Sequence, residues 1–149
     1  MKLEEEIQQK EFKTEQQKLS INISFTANWL NGFGEKLFKE YNLTPQQFNV
    51  LRILRGQHPK PASIKFIKVR MIDKHCDASR LVDNLVKKRF AERNVSNYDR
   101  RQCDVMITIS GFNVLSEIDK HLPEFERHLS NLTGSEMKTL NHLLDKLRG

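Results

Sequence analysis

The feature that narrows the fold most is a change of hydrophobic period. Between Asp77 and Phe90, Leu81, Val82, Leu85 and Val86 form one stripe at helical spacing, while Arg80, Asp83, Asn84, Lys87 and Lys88 point elsewhere. From Ala91 to Val95, and again from Cys103 to Ile109, the period becomes two, most clearly at Val105, Ile107 and Ile109. An amphipathic helix therefore feeds straight into a hairpin. The hairpin's tip, Asn97-Tyr98-Asp99-Arg100-Arg101, joins turn-forming residues to two arginines.

Helices flank this unit on both sides. Apolar residues at Ile23, Ala27, Leu30, Leu37 and Tyr41 predict a helix from about Leu19 to Tyr41, and Ile21, Phe25, Trp29 and Phe33 make it apolar on more than one face. Thr44-Pro45-Gln46-Gln47 reads as a helix start, with Thr44 as cap, Pro45 at the first helical position and Gln47 closing a capping box. The helix it opens carries Phe48, Leu51 and Leu54 and stops in Gly56-Gln57-His58-Pro59. A short helix from about Ser63 to Arg70 shows Ile64, Ile67 and Met71 on one side. After Ser110-Gly111, the residues Phe112, Leu115, Ile118, Leu122, Phe125, Leu129 and Leu132 step by three or four, and Pro123 predicts a kink or break near Leu122. Thr133-Gly134-Ser135-Glu136 is a second capping box, opening a last helix with Met137, Leu140, Leu144 and Leu147 inward.

Three helices followed by a hairpin is the order of a winged helix-turn-helix, a mainly α fold with a small β-hairpin wing. No repeat or linker divides the chain, so one domain over 1–149 is expected. Its DNA-binding lobe falls at about 43–109 and its dimerisation helices at about 1–42 and 110–149. The outer helices carry more apolar surface than a middle of this size can cover, which predicts a homodimer.

Charge follows the same partition. Residues 52–101 hold 14 basic and 5 acidic side chains, whereas residues 1–51 are net −1 and residues 102–149 net −2. A surplus so concentrated marks where a polyanion docks, and double-stranded DNA is the partner that suits the predicted fold. No run of about 20 apolar residues exists to span a membrane. Met1–Glu6 lacks a leader's basic and apolar regions, so a cytoplasmic protein is expected. Cys76 and Cys103, with no spaced cysteine partner, fit a reducing compartment.

In a helix-turn-helix the N-terminal residues of the second helix meet base edges in the major groove. That places Lys74, His75, Asp77, Ala78, Ser79, Arg80 and Asn84 at or near the reading surface, with Arg80 suited to bidentate contact with guanine. Lys87 and Lys88 lie further along, where phosphate is the natural contact. In the wing, Arg93, Asn97, Asp99, Arg100 and Arg101 are candidates, an arginine at the tip fitting a narrow minor groove. Asp77 either caps the recognition helix or accepts from a cytosine amino group; its place just before the apolar stripe favours the cap. A basic amphipathic helix taken alone is most often merely solvated, and it is the adjoining arginine-tipped hairpin that shifts the reading toward DNA.

The chain resembles the MarR family over nearly its whole length. The resemblance rests on Leu43-Thr44-Pro45-Gln46-Gln47-Phe48 with Val50-Leu51, on Ser79-Arg80-Leu81-Val82-Asp83-Asn84-Leu85 with Lys87-Lys88, and on Glu92-Arg93. Most specific is Asp99-Arg100-Arg101, followed by Ile107-Thr108 and Ser110-Gly111. It implies a homodimeric transcription regulator, usually a repressor, whose terminal helices build the dimer and whose Arg101 reaches the minor groove with Asp99 orienting the wing arginines. It also implies modulation by a small aromatic effector bound between the two regions. Two departures stand out. Arg89 occupies the position where the family usually ends the recognition helix with glycine, and His75-Cys76-Asp77 replaces the small hydroxylated residues often found at its start.

Other chemistries are weaker. No nucleophile with an oriented base appears, so no catalytic residue, cofactor or metal is expected. His121 and His128 are seven residues apart, too far to chelate within one helix. Phe25, Trp29 and Phe33 are candidates for an effector pocket, against the commoner role of an aromatic core stripe. Cysteine-based redox sensing at Cys76 or Cys103, and a winged helix that binds protein rather than DNA, are the alternatives.

Overall fold

The computed structural model describes residues 2–95 and 103–149. Its elements run α1 (Leu3–Glu6), α2 (Glu15–Glu40), α3 (Pro45–Gln57), β1 (Ala62–Ser63), α4 (Ile64–Arg70), α5 (Ala78–Lys87), β2 (Ala91–Val95), β3 (Cys103–Ile107), α6 (Ile109–Asp119), α7 (Leu122–Arg127) and α8 (Gly134–Arg148). Local chemistry sets most boundaries. The hydroxyls of Thr14, Ser63, Thr108 and Thr133 and the carboxylate of Asp77 each accept the free amide three residues on, at the starts of α2, α4, α6, α8 and α5. At α3 the Thr44–Gln47 box is closed in both directions, with Pro45 in the first turn. Pro123 sits in the first turn of α7, where its missing N–H costs nothing, so the predicted break separates α6 from α7.

The sheet is antiparallel in the order β1-β3-β2. The expected hairpin pairs Ala91 with Ile107 and Val95 with Cys103. A third strand was not expected: Ala62 pairs with Val105 and Ser63 with Asp104, tying the start of α4 to the wing. Apart from Leu3, every buried apolar residue among those described lies between Leu43 and Ile118. Leu51 and Leu54 of α3, Ile67 of α4, Val82 and Leu85 of α5, Val105 of β3 and Leu115 and Ile118 of α6 form one cluster. At about 1.5–3 kcal/mol for each large side chain removed from water, that cluster is what holds the helix-turn-helix and wing together.

The outer helices differ. Neither α2, α7 nor α8 contains a buried residue. The inward face expected for α8 is only partly covered in the single chain: Met137 and Leu144 are half-buried, but Leu140 is 46% and Leu147 55% exposed, and the neighbouring Leu143 is 54% exposed.

Three non-glycine residues at positive φ follow helices: Gln8 (φ 54) comes after the short α1, and the other two end α2 and α5, Asn42 (φ 55) and Arg89 (φ 61) respectively. In both cases the amide of the next residue reaches back to the carbonyl five before it, Leu43 to Phe38 and Phe90 to Leu85. The left-handed residue itself bonds three back, Asn42 to Lys39 and Arg89 to Val86. Arg89 thus performs the turn that glycine would perform without steric cost, and the recognition helix ends in ordinary Schellman geometry.

Candidate nucleic-acid interface

The recognition helix α5 is held by its apolar stripe. Val82 and Leu85 are fully buried, Ala78 nearly so, and Arg80, Asp83 and Lys87 on the other side are exposed. Asp77 is the cap, its Oδ1 accepting from the Arg80 amide at 3.1 Å, as its position before the stripe indicated. Ser79 and Asn84 are half-buried beside the exposed face.

Between the end of α4 at Arg70 and the start of α5 at Ala78 lie residues 71–77, a longer connection than the three or four residues usual for this motif. Specific bonds order it. The Ile72 amide donates to Asn49 Oδ1 at 3.0 Å, anchoring the turn to α3, and the His75 amide donates to Asp73 Oδ1 at 2.9 Å. Lys74 Nζ donates to the Val69 carbonyl at 2.6 Å, so this exposed ammonium also closes the C-terminal end of α4. Met71 is buried, while Ile72 is exposed beside Asp73, Lys74 and His75.

Besides Asp77 and Lys74, two more of the predicted contact residues carry structural bonds. Arg93, on β2, pairs with Asp83 of α5 at 2.5 Å, linking the wing to the outer face of the recognition helix. Hydrogen bonding to Cys103 above all raises its pKa over the ordinary arginine value; burial opposes this, and Asp83 adds to the rise. Lys88, expected at the DNA backbone, has its ammonium turned into the protein, donating to the Asn42 carbonyl at 2.5 Å and to Gln47 Oε1 at 2.9 Å. Lys87, one residue earlier, is exposed. Asn97, Asp99, Arg100 and Arg101 lie outside the described residues.

The wing root is tight. The Thr108 amide and hydroxyl donate to the carbonyls of Phe90 and Arg89, and α6 enters so closely that a Cβ on Gly111 would meet the Phe90 oxygen at 2.2 Å. Arg55 of α3 pairs with Asp119 of α6 at 2.6 Å.

Of the aromatic residues proposed for an effector pocket, Trp29 and Phe33 of α2 meet His128 at the end of α7. Phe33 stacks on His128 with centroids 3.8 Å apart, Trp29 meets Phe33 edge-on at 5.1 Å, and Phe25 is half-buried. A separate open cavity of about 360 Å³ lies between α2, the start of α3 and the 71–77 turn, lined by Asn31, Glu35, Pro45, Gln46, Asn49, Met71, Ile72 and Asp73. Cys76 and Cys103 are unpaired and half-buried. Among the described residues no cluster of His, Cys, Asp and Glu is arranged to hold a metal, and no helix is long and apolar enough to cross a membrane.

The roles of Asn42, Gln47 and Asn49 were not foreseen. Asn42 and Gln47 belong to recognisable turn and capping patterns, but no local signal reveals that Lys88 reaches them from the far end of another helix.

Comparison with known proteins agrees with this architecture. No family model matches the chain. It is 33% identical over 118 residues to the HTH-type transcriptional regulator YpoP of Bacillus subtilis, covering 78% of this chain and 81% of YpoP. It is 28% identical over 115 residues to the HTH-type transcriptional regulator MgrA of Staphylococcus aureus, covering 77% and 76% of the two chains. Among solved structures, a cysteine-to-serine variant of MarR from E. coli complexed with operator DNA superposes with a TM-score of 0.80 at 24% identity, over 93% of this chain and 99% of that one.

Proposed function

This chain belongs to the MarR family of winged helix-turn-helix transcriptional regulators, and from that premise we propose that it binds double-stranded DNA sequence-specifically as a homodimer and represses transcription. The observation that carries the proposal is Arg80, exposed in the first turn of α5, in the one segment of the chain with a large positive surplus. Two such helices, one per protomer, meet successive major grooves about 10 base pairs apart. Ser79, Arg80 and Asn84 face the bases, with Lys74, His75 and Asp77 at the edge of the contact, while Ala78, expected among them, is buried in the core and packs the helix instead; Lys87 holds phosphate; and the wing, through Asn97 and Arg100-Arg101 oriented by Asp99, follows the minor groove. Arg93 supports the wing through Asp83.

The partly uncovered apolar faces of α2 and α8 support the dimer, with residues 1–42 and 110–149 as its helices and 43–109 as the DNA lobe. A small aromatic effector bound near Phe25, Trp29 and Phe33 of α2 would act on the angle between these regions. The protein works by binding, without catalysis, in the cytoplasm where its DNA lies.

Duplex selected from a random pool supplies the test. Arg80→Ala should weaken specific binding by about 1–3 kcal/mol and relax the preference at one base position. Arg101→Ala should lower affinity and reduce the salt dependence by about one released counterion. Unchanged affinity and salt slope in both variants refutes the DNA reading.

A further inference from the structure

We propose that Lys88 is a positioning residue: it is the joint that fixes the recognition helix α5 to the end of the long helix α2, and so sets the half-site spacing the dimer accepts. The inference rests on the DNA-binding reading above and adds to it a determinant of spacing. The geometry is specific. Lys88 is the C-cap of α5, and its ammonium donates to the Asn42 carbonyl at the turn ending α2 and to Gln47 Oε1 in the first turn of α3. Gln47 is itself buried, and its Oε1 also accepts from the Thr44 amide at 3.2 Å. One side chain therefore ties three elements together.

Helix electrostatics favours a cation at this point. Both α2 and α5 end here, each presenting carbonyls and a negative partial charge, and Lys88 sits between the two ends. A lysine has the reach and the three donors to serve two oxygens in different directions. The end of α2 has other holds, Tyr41 Oη lying 3.2 Å from His121 Nε2 at the start of α7 and Leu37, Phe38 and Tyr41 packing on the core that α5 shares, and among the described residues Lys88 adds the side-chain hydrogen bond between this end and the end of the reading helix.

The leverage follows from length. The 10 residues of α5 span about 15 Å from the joint to the reading end, so a rotation of about 10° at Lys88 moves that end by about 2.6 Å. That is most of the roughly 3.4 Å rise of one base pair. Folding depends on the joint far less. Asn42 is exposed, so water replaces Lys88 at its carbonyl, and Gln47 keeps the Thr44 amide. Loss of Lys88 should thus loosen an angle without unfolding the lobe.

The test uses the full-length protein and its Lys88→Met and Lys88→Arg variants, each first shown to be folded by circular dichroism and melting. Binding is measured on a selected duplex and on duplexes with the half-sites moved one base pair closer or further apart. The wild type should prefer the matched spacing by about tenfold or more. In Lys88→Met that preference should fall to about threefold or less, with the salt slope unchanged because no phosphate contact is lost. Lys88→Arg, which also donates to two oxygens, should restore it. A wild-type spacing profile in Lys88→Met overturns the proposal, as does a salt slope reduced by about one counterion, which would place Lys88 on phosphate.

A second measurement needs no DNA. Nitroxides at Arg80→Cys and at Asn22→Cys, both exposed positions, in a Cys76→Ser, Cys103→Ser background diluted with unlabelled protein, report the angle between α5 and α2. The distance distribution should be narrow with Lys88, broad with Lys88→Met and narrow again with Lys88→Arg; equal widths in all three overturn the joint. If no duplex is bound even by the wild type, the DNA reading fails while this measurement still decides the joint.

Discussion

Replacing Gly111 with alanine should destabilise the protein by about 3 kcal/mol, although the same change elsewhere in a helix stabilises. Gly111 is in the first turn of α6, where its amide donates to the Thr108 hydroxyl. A methyl group there would lie 2.2 Å from the Phe90 carbonyl oxygen and 2.7 Å from Ile107 Cγ1, and an ordinary carbon–oxygen contact is about 3.3 Å. The oxygen cannot swing away like a side-chain end, because it belongs to the backbone and accepts from the Thr108 amide at 3.1 Å. Relief therefore requires about 1 Å of movement between α6 and the α5–β2 turn. Overpacking of this kind costs about 1–3 kcal/mol, and the upper end applies because the obstacle is main chain. A weakened Thr108–Phe90 bond adds about 1 kcal/mol, roughly cancelled by the helix preference of alanine over glycine. For about 150 residues, 3 kcal/mol corresponds to a fall in melting temperature of about 10 °C. The control is Gly56→Ala in α3, where an added Cβ meets nothing within 4 Å and a gain of about 0.5–1 kcal/mol is expected. Thermal melting monitored by circular dichroism, at one fixed protein concentration because a dimer's midpoint depends on it, compares the two. If Gly111→Ala melts within about 2 °C of the wild type, the close approach of α6 to the wing root is not as described.

Arg89→Gly should stabilise the protein by about 0.5–1 kcal/mol: it relieves a left-handed arginine at φ 61, costing about 1–2 kcal/mol, and gives back part of that as greater freedom in the unfolded chain. An unchanged or lower melting temperature would count against strain at that turn. Leu143→Glu combined with Leu147→Glu should convert the dimer to monomer in sedimentation at micromolar concentration, with little change in the fold of residues 43–118, because both leucines are more than half exposed in the single chain. A dimer that persists in the double variant excludes this face of α8 from the interface.

What could be read directly from the sequence was local. The Thr44–Gln47 and Thr133–Glu136 boxes, the cap at Asp77, the stripe of Val82 and Leu85 and the alternation at Val105 and Ile107 each depend on residues within a few positions of one another, and each appears in the structure. β1 escaped because two residues, Ala62 and Ser63, are too few to show a period, and their strand character comes from pairing with Val105 and Asp104. Arg89 at the helix end illustrates another limit. The family's glycine is replaced by Arg89, and the bonds of the Phe90 and Arg89 amides to the Leu85 and Val86 carbonyls hold the arginine in the same left-handed turn despite its steric cost.

Charge was the least transparent signal, because counting formal charges by segment assumes that each is available to a partner. In residues 52–101, Arg55 is paired with Asp119 from outside the segment, Arg93 with Asp83 within it, Lys88 is turned into the protein and Lys74 closes the end of α4. The positive surplus therefore has two uses. Some of it builds the lobe, pinning α3 to α6, the wing to α5, and α5 to α2, while Arg80 and Lys87 remain at the surface beside the turn. A salt slope read as a count of phosphate contacts should accordingly follow the outward-facing residues rather than the segment's net charge, since a cation already bonded within the protein releases no counterion from DNA.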